Sequence, residues 1–156
     1  MKNILIVGCG LIGSSILRAV SQKRLFKNIF VLEKSKKNIS VLKKLKFKCK
    51  IISSLKDISN SFDLIIFCTP MSQYSNVILK INKFVTNKTI VTDVGSTKEQ
   101  SFKNVKKILK KNTTWIPSHP ITGSEVSGPK FGNKDLFKNK WCVLIKENKV
   151  DKSRLF

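Results

Sequence analysis

With 156 residues, 41% of them hydrophobic, the chain can bury one core of ordinary size and is short for two. A formal charge of +22 raises the question of a polyanionic partner. However, all but three of the 31 basic residues are lysine, aromatic residues do not interleave with them, and no nucleic-acid module is recognisable. Solvated helix faces therefore account for the charge, with no specific nucleic-acid partner and only weak, salt-sensitive attraction to polyanions.

Apolar runs alternate with amphipathic stretches along the chain, the pattern of a parallel sheet with helices on its faces. Strands are expected at Asn3–Val7, Ile29–Glu33, Cys49–Ile52, Asp63–Cys68, Thr89–Val94, Thr114–Ile116 and Cys142–Ile145. Between them, Ile16, Leu17 and Val20 mark a first helix, and Ile39, Leu42 and Leu45 form the stripe of a second. Val77, Ile78, Ile81 and Val85 mark a third, and Phe102, Val105, Ile108 and Leu109 a fourth. The expected fold is α/β, a doubly wound, mostly parallel Rossmann-like sheet.

The four cysteines have no metal-type spacing, so no metal site is expected. Three of them, Cys49, Cys68 and Cys142, fall in strand-like runs where a buried free thiol is expected, which fits a reducing cytoplasm. The Ile4–Val7 run before Gly8 is far too short for a signal or membrane segment. From Lys146 to Phe156 a polar turn leads into what reads as the start of a helix with little room to bury Val150 and Leu155. The expectation is a single domain over residues 1–156, cut short at its end.

Gly8-Cys9-Gly10-Leu11-Ile12-Gly13 has the G-x-G-x-x-G form. It follows an apolar strand, opens a helix, and is followed twenty residues later by Glu33 at the end of the second strand. Gly8 permits the tight turn, Gly10 lets the backbone approach a pyrophosphate, and Gly13 lets the helix pack close to the strand. The first helical residues, Leu11 and Ile12, offer free N–H groups and a positive dipole end to the phosphates. Glu33 is positioned to accept hydrogen bonds from the adenosine ribose and to repel a 2′-phosphate. NAD is thus favoured over NADP, although Lys34, Lys36 and Lys37 blunt the preference.

Two further strand ends carry polar residues where ligands bind in open α/β sheets. Backbone groups of Cys68, Thr69 and Pro70 either line the cofactor or form a plain strand-to-helix turn. In Asp93-Val94-Gly95-Ser96-Thr97-Lys98-Glu99, Ser96 and Glu99 match a capping box, which makes Ser96 the expected helix N-cap at the mouth of the site. Lys98 reads as surface. The chain's one histidine, His119, stands in a loop of backbone-fixing residues, Pro117 to Gly128, and can exchange a proton near neutrality.

These runs resemble the N-terminal domain of the prephenate dehydrogenase family, which includes arogenate dehydrogenases. The matching pieces are GCGLIGSS at 8–15, DLIIFCTP at 63–70, DVGSTK at 93–98 and HPITGSEVSG at 119–128. The resemblance implies NAD-dependent oxidative decarboxylation of prephenate to 4-hydroxyphenylpyruvate, or of arogenate to tyrosine, in tyrosine biosynthesis. It implies that His119 hydrogen-bonds the hydroxyl being oxidised and that Ser96 helps hold that hydroxyl and the nicotinamide. Glu125, and with it Ser124, is implied on the substrate side. Family members continue into a helical C-terminal domain that makes the homodimer and supplies cations for the substrate carboxylates. Without it the chain alone is expected to turn over poorly. The competing readings are another nicotinamide-dependent dehydrogenase on the same scaffold and a non-catalytic NAD- or polyanion-binding module.

Overall fold

The computed structural model describes residues 1–54, 56, 58, 61–110 and 113–145, without the side chains of residues 99–102. The expectations for Val150, Leu155 and the side chain of Phe102 lie outside these residues. Six parallel strands, β1 (Asn3–Val7), β2 (Asn28–Leu32), β3 (Lys50–Ile52), β4 (Leu64–Phe67), β5 (Ile90–Asp93) and β6 (Thr114–Ile116), form one sheet in the order β3-β2-β1-β4-β5-β6. Four helices connect them: α1 (Leu11–Lys23), α2 (Lys36–Lys44), α3 (Tyr74–Ile81) and α4 (Glu99–Ile108). This is the doubly wound α/β fold expected.

The central strand shows why the sequence reads as continuous apolar runs. In β1, Leu5 and Val7 join one core cluster with Tyr74, Val77, Ile78 and Ile81 of α3 and Val105 of α4. Ile4 and Ile6 join the other, with Leu17 and Val20 of α1 and Leu42 of α2. Both faces are covered, so every position from Ile4 to Val7 is almost wholly buried. Each such side chain contributes about 1.5–3 kcal/mol through its removal from water.

Two further strands, β7 (Ser118–Pro120) and β8 (Cys142–Leu144), pair antiparallel as a separate ribbon. The sequence pattern indicates β8 but not β7, because a Ser-His-Pro triplet carries no apolar alternation. The ribbon corrects one cysteine expectation. Cys142 is exposed, since β8 has no helix over it, whereas Cys9 is buried and all four thiols are free.

Most lysines lie where the composition indicated. Lys36, Lys37, Lys43 and Lys44 are exposed along the outer face of α2. Among the described residues, no helix is long and apolar enough to cross a membrane.

Candidate active site

Because β1 to β6 run parallel, their carboxyl ends share one edge of the sheet. The strand order reverses between β1 and β4, and the glycine loop leaves β1 at that point, where open α/β sheets take their ligands.

The three glycines of the loop have different surroundings. Gly8 has φ +83°, and a Cβ there would press on Thr69 at 2.7 Å. A Cβ on Gly13 would sit 2.2 Å from the Gly8 carbonyl oxygen, so α1 packs against the loop only because that position lacks one. Around Gly10 nothing lies within 4 Å of the Cβ position, which leaves space for a ligand to meet the backbone. Gly10 caps α1 without a side-chain hydrogen bond, so the N–H groups of the first turn, at Leu11 and Ile12, face outward for an anion.

A cavity of about 260 Å³ opens beside this loop, lined in part by Gly8, Gly10, Glu33, Cys68, Thr69 and Pro70. Thr69 Oγ1 is buried there without a hydrogen-bond partner. An uncapped helix start, glycine clearance and an orphaned hydroxyl around one cavity fit a dinucleotide. Cys68, Thr69 and Pro70 both line this cavity and make the turn from β4 towards α3.

Glu33 is 8% exposed and its carboxylate is heavily engaged. Oε1 accepts from the backbone N–H groups of Lys34 and Ser35, both at 2.9 Å. Oε2 accepts from the Cys9 N–H at 2.9 Å and from the Asn38 side-chain amide at 3.3 Å. The acid thus clasps the glycine loop to the start of α2. Burial, reinforced by the Glu33 charge, pushes the Cys9 thiol up to about 12. Burial likewise holds the Cys68 thiol well above its usual range.

The second strand end is built around Asp93, which is fully buried. Its Oδ2 accepts from the Tyr74 hydroxyl at 3.1 Å, the Gly95 N–H at 3.0 Å and the Lys98 ammonium at 2.6 Å. Its Oδ1 accepts from the Ser118 N–H at 3.1 Å, and its carbonyl accepts a short bond from the Ser118 hydroxyl. Lys98 also donates to the Ser118 carbonyl at 2.6 Å, and Thr92 Oγ1 donates to the Ile116 carbonyl at 2.6 Å. Burial first, then the Asp93 charge, raises the Tyr74 hydroxyl above its usual range. Ser118 is therefore held at every backbone polar group, and the next residue is His119.

This arrangement corrects two expectations. Lys98 is not a surface lysine: its side chain is 14% exposed and paired with Asp93. Ser96 is not the N-cap of α4, which begins at Glu99 with Lys98 in the cap position. The Asp93 carboxylate draws in the Gly95 N–H and the Lys98 ammonium, so the chain curls through Ser96 and the helix starts later than the capping-box pattern implies.

His119 is half-buried in β7, opposite Val143 of β8, and its imidazole has no hydrogen-bond partner among the described residues. Ser96 is exposed on the loop leaving β5, and Ser124 and Glu125 are exposed on the turn after β7. The Ser124 hydroxyl accepts from the Val126 N–H at 3.4 Å. No hydrogen bond among the described residues joins Ser96, Ser124 or Glu125 to His119. The structure thus gathers Gly8–Gly10, Glu33 and Cys68–Pro70 at one cavity, with Leu11, Ile12 and Gly13 in the first turn of α1 beyond its lining, and fixes the strand that bears His119. Tyr74, Ser118 and Asn38 carry no signal in the sequence beyond their types; for Asp93 the available signals are its place at the head of the DVGSTK run and at the end of an apolar run.

A profile of the prephenate dehydrogenase nucleotide-binding domain matches residues 16–156. The chain is 29% identical over 143 residues to a cyclohexadienyl dehydrogenase of Zymomonas mobilis, covering 92% of this chain and 48% of that protein. It is 30% identical over 153 residues to a prephenate dehydrogenase of Lactococcus lactis, covering 95% of this chain and 42% of that protein. It therefore spans less than half the length of these curated relatives. Among solved structures, the prephenate dehydrogenase of A. aeolicus in complex with hydroxyphenyl propionate and NAD+ superposes with a TM-score of 0.89 at 27% identity, covering 99% of this chain and 54% of that one.

Proposed function

Since the chain belongs to the prephenate dehydrogenase family through its nucleotide-binding domain, we propose that it is the NAD-binding part of an enzyme that oxidises and decarboxylates prephenate to 4-hydroxyphenylpyruvate. The observation that carries the reading is the shared edge of the sheet, where the glycine loop of β1 and the fixed strand of His119 both emerge. A relative of the same family holding NAD+ supports the choice of cofactor.

The glycine loop and the start of α1 bind the pyrophosphate, and Glu33 receives the adenosine ribose. NAD, when bound, supplies the hydride acceptor. His119, neutral, accepts the proton of the substrate's ring hydroxyl as the carbinol C–H bond gives up its electron pair as hydride. The ring carboxylate then departs as carbon dioxide, and the bonding pair it leaves completes the aromatic ring. His119 returns its proton to the phenolic oxygen, so no net proton is consumed. Ser96 orients the same hydroxyl, and Ser124 and Glu125 serve the substrate side of the pocket.

The substrate is a dianion, and the partners of its carboxylates belong to the part of the enzyme that makes a homodimer. Four free thiols suit a cytoplasmic enzyme. The test is NAD binding by this chain, together with NADH formation from prephenate and arogenate offered separately to the whole enzyme. Oxidation of prephenate supports the reading, oxidation of arogenate alone moves the substrate, and failure to bind NAD overturns it.

A further inference from the structure

A carboxylate offers about four acceptor positions, and those of Glu33 are all taken by protein donors. Three of the donors are backbone N–H groups of Cys9, Lys34 and Ser35, each at 2.9 Å, which cannot leave without unfolding the glycine loop or the turn into α2. The fourth is the Asn38 side-chain amide, the longest of the set at 3.3 Å. Asn38 is half-buried in the first turn of α2, where its backbone N–H donates to the Ser35 hydroxyl, and its side chain lines the same cavity as Gly10 and Glu33.

A ribose hydroxyl that donates to Glu33 must therefore take the position one of these donors holds, and only Asn38 can yield by turning a side chain. We propose that Asn38 is a specificity-determining residue of the dinucleotide site: its amide holds Glu33 Oε2 in the free protein and gives way to the adenosine ribose hydroxyl on binding. This rests on the dinucleotide reading of the cavity. Asn38 keeps a buried carboxylate satisfied before the cofactor arrives, and it sets how much of the ribose hydrogen bond appears as affinity. Nothing in the sequence singles it out: it is one of twelve asparagines in the chain and stands on a lysine-rich helix.

The experiment compares binding of NAD and of its analogue lacking the adenosine 2′-hydroxyl, by titration calorimetry on the 156-residue chain. Asn38→Ala removes the competing donor, and Asn38→Ser, too short to reach Glu33, repeats the test with a side chain tolerated near a helix start. In both variants the preference for NAD over the deoxy analogue should widen by about threefold to tenfold relative to the unaltered chain, the scale of one hydrogen bond. If the unaltered chain binds NAD and the preference is unchanged or narrowed in both variants, Asn38 does not compete with the ribose and the proposal falls alone. If the unaltered chain binds neither nucleotide, the dinucleotide reading falls and the proposal with it.

Discussion

The ammonium of Lys98 lies 2.6 Å from Asp93 Oδ2 and equally close to the Ser118 carbonyl, so one side chain bridges the end of β5 to the start of β7. Asp93 in turn accepts the Ser118 N–H. The residue before His119 is thereby held from both its backbone donor and its acceptor.

Replacing Lys98 with Met should make the cost of this pair visible. Asp93 would keep the Tyr74, Gly95 and Ser118 donors but lose its counter-charge in a fully buried position. Unpairing a buried charge is expected to destabilise the fold by about 3 kcal/mol. Urea unfolding of the variant and the unaltered chain measures it. A change near zero would mean that the pair is screened by solvent.

Alkaline pH should weaken the fold through its buried thiols. The Cys9 thiol is held up to about 12 in the folded chain against an ordinary value of 9.0, so the folded state keeps its proton longer than the unfolded one. Its contribution is complete below about pH 9 and is lost as pH rises towards 12, at no more than about 1.4 kcal/mol per pH unit. Cys49 and Cys68, also raised by burial, act in the same direction. Unfolding free energies measured from pH 8 upward should fall, and a Cys9→Ala variant should show a shallower slope.

Two glycines separate folding from binding. Gly13→Ala drives a Cβ into the Gly8 carbonyl and should cost about 1–3 kcal/mol by overpacking. Gly10→Ala meets no protein atom within 4 Å and should leave thermal stability unchanged while weakening NAD binding at least tenfold. Equal thermal stability of both variants would contradict the packing described for Gly13.

His119→Asn tests the chemistry apart from the scaffold. NAD binding should be retained, because the glycine loop is untouched, while turnover of prephenate by the whole enzyme should drop by about 10²–10⁴. Unimpaired turnover would remove His119 from the proton transfer.

How much of this was legible in the residues depends on the range over which each feature is decided. The nucleotide loop was, because its demands fall within six positions: a positive φ at Gly8, clearance at Gly10 and contact at Gly13 follow from local backbone sterics. The six sheet strands were legible too, since burial on both faces writes itself as apolar runs. The start of α4 was misread, because the pattern from Ser96 to Glu99 is common in sequence, while the Asp93 carboxylate that displaces it acts through space.

The sequence by itself determined the fold class, the glycine loop and the position of Glu33, all of which rest on periodicity and short-range geometry. Only the tertiary structure decided that Lys98 is a half-buried partner of Asp93 rather than one more surface lysine, and that Asn38 occupies Glu33. It also decided that Ser118 to Pro120 form a strand. A side chain's type states what it can bond to. What it finds within 3 Å depends on strands that meet only when the sheet is assembled, and for Lys98 that meant an aspartate at the end of its neighbour.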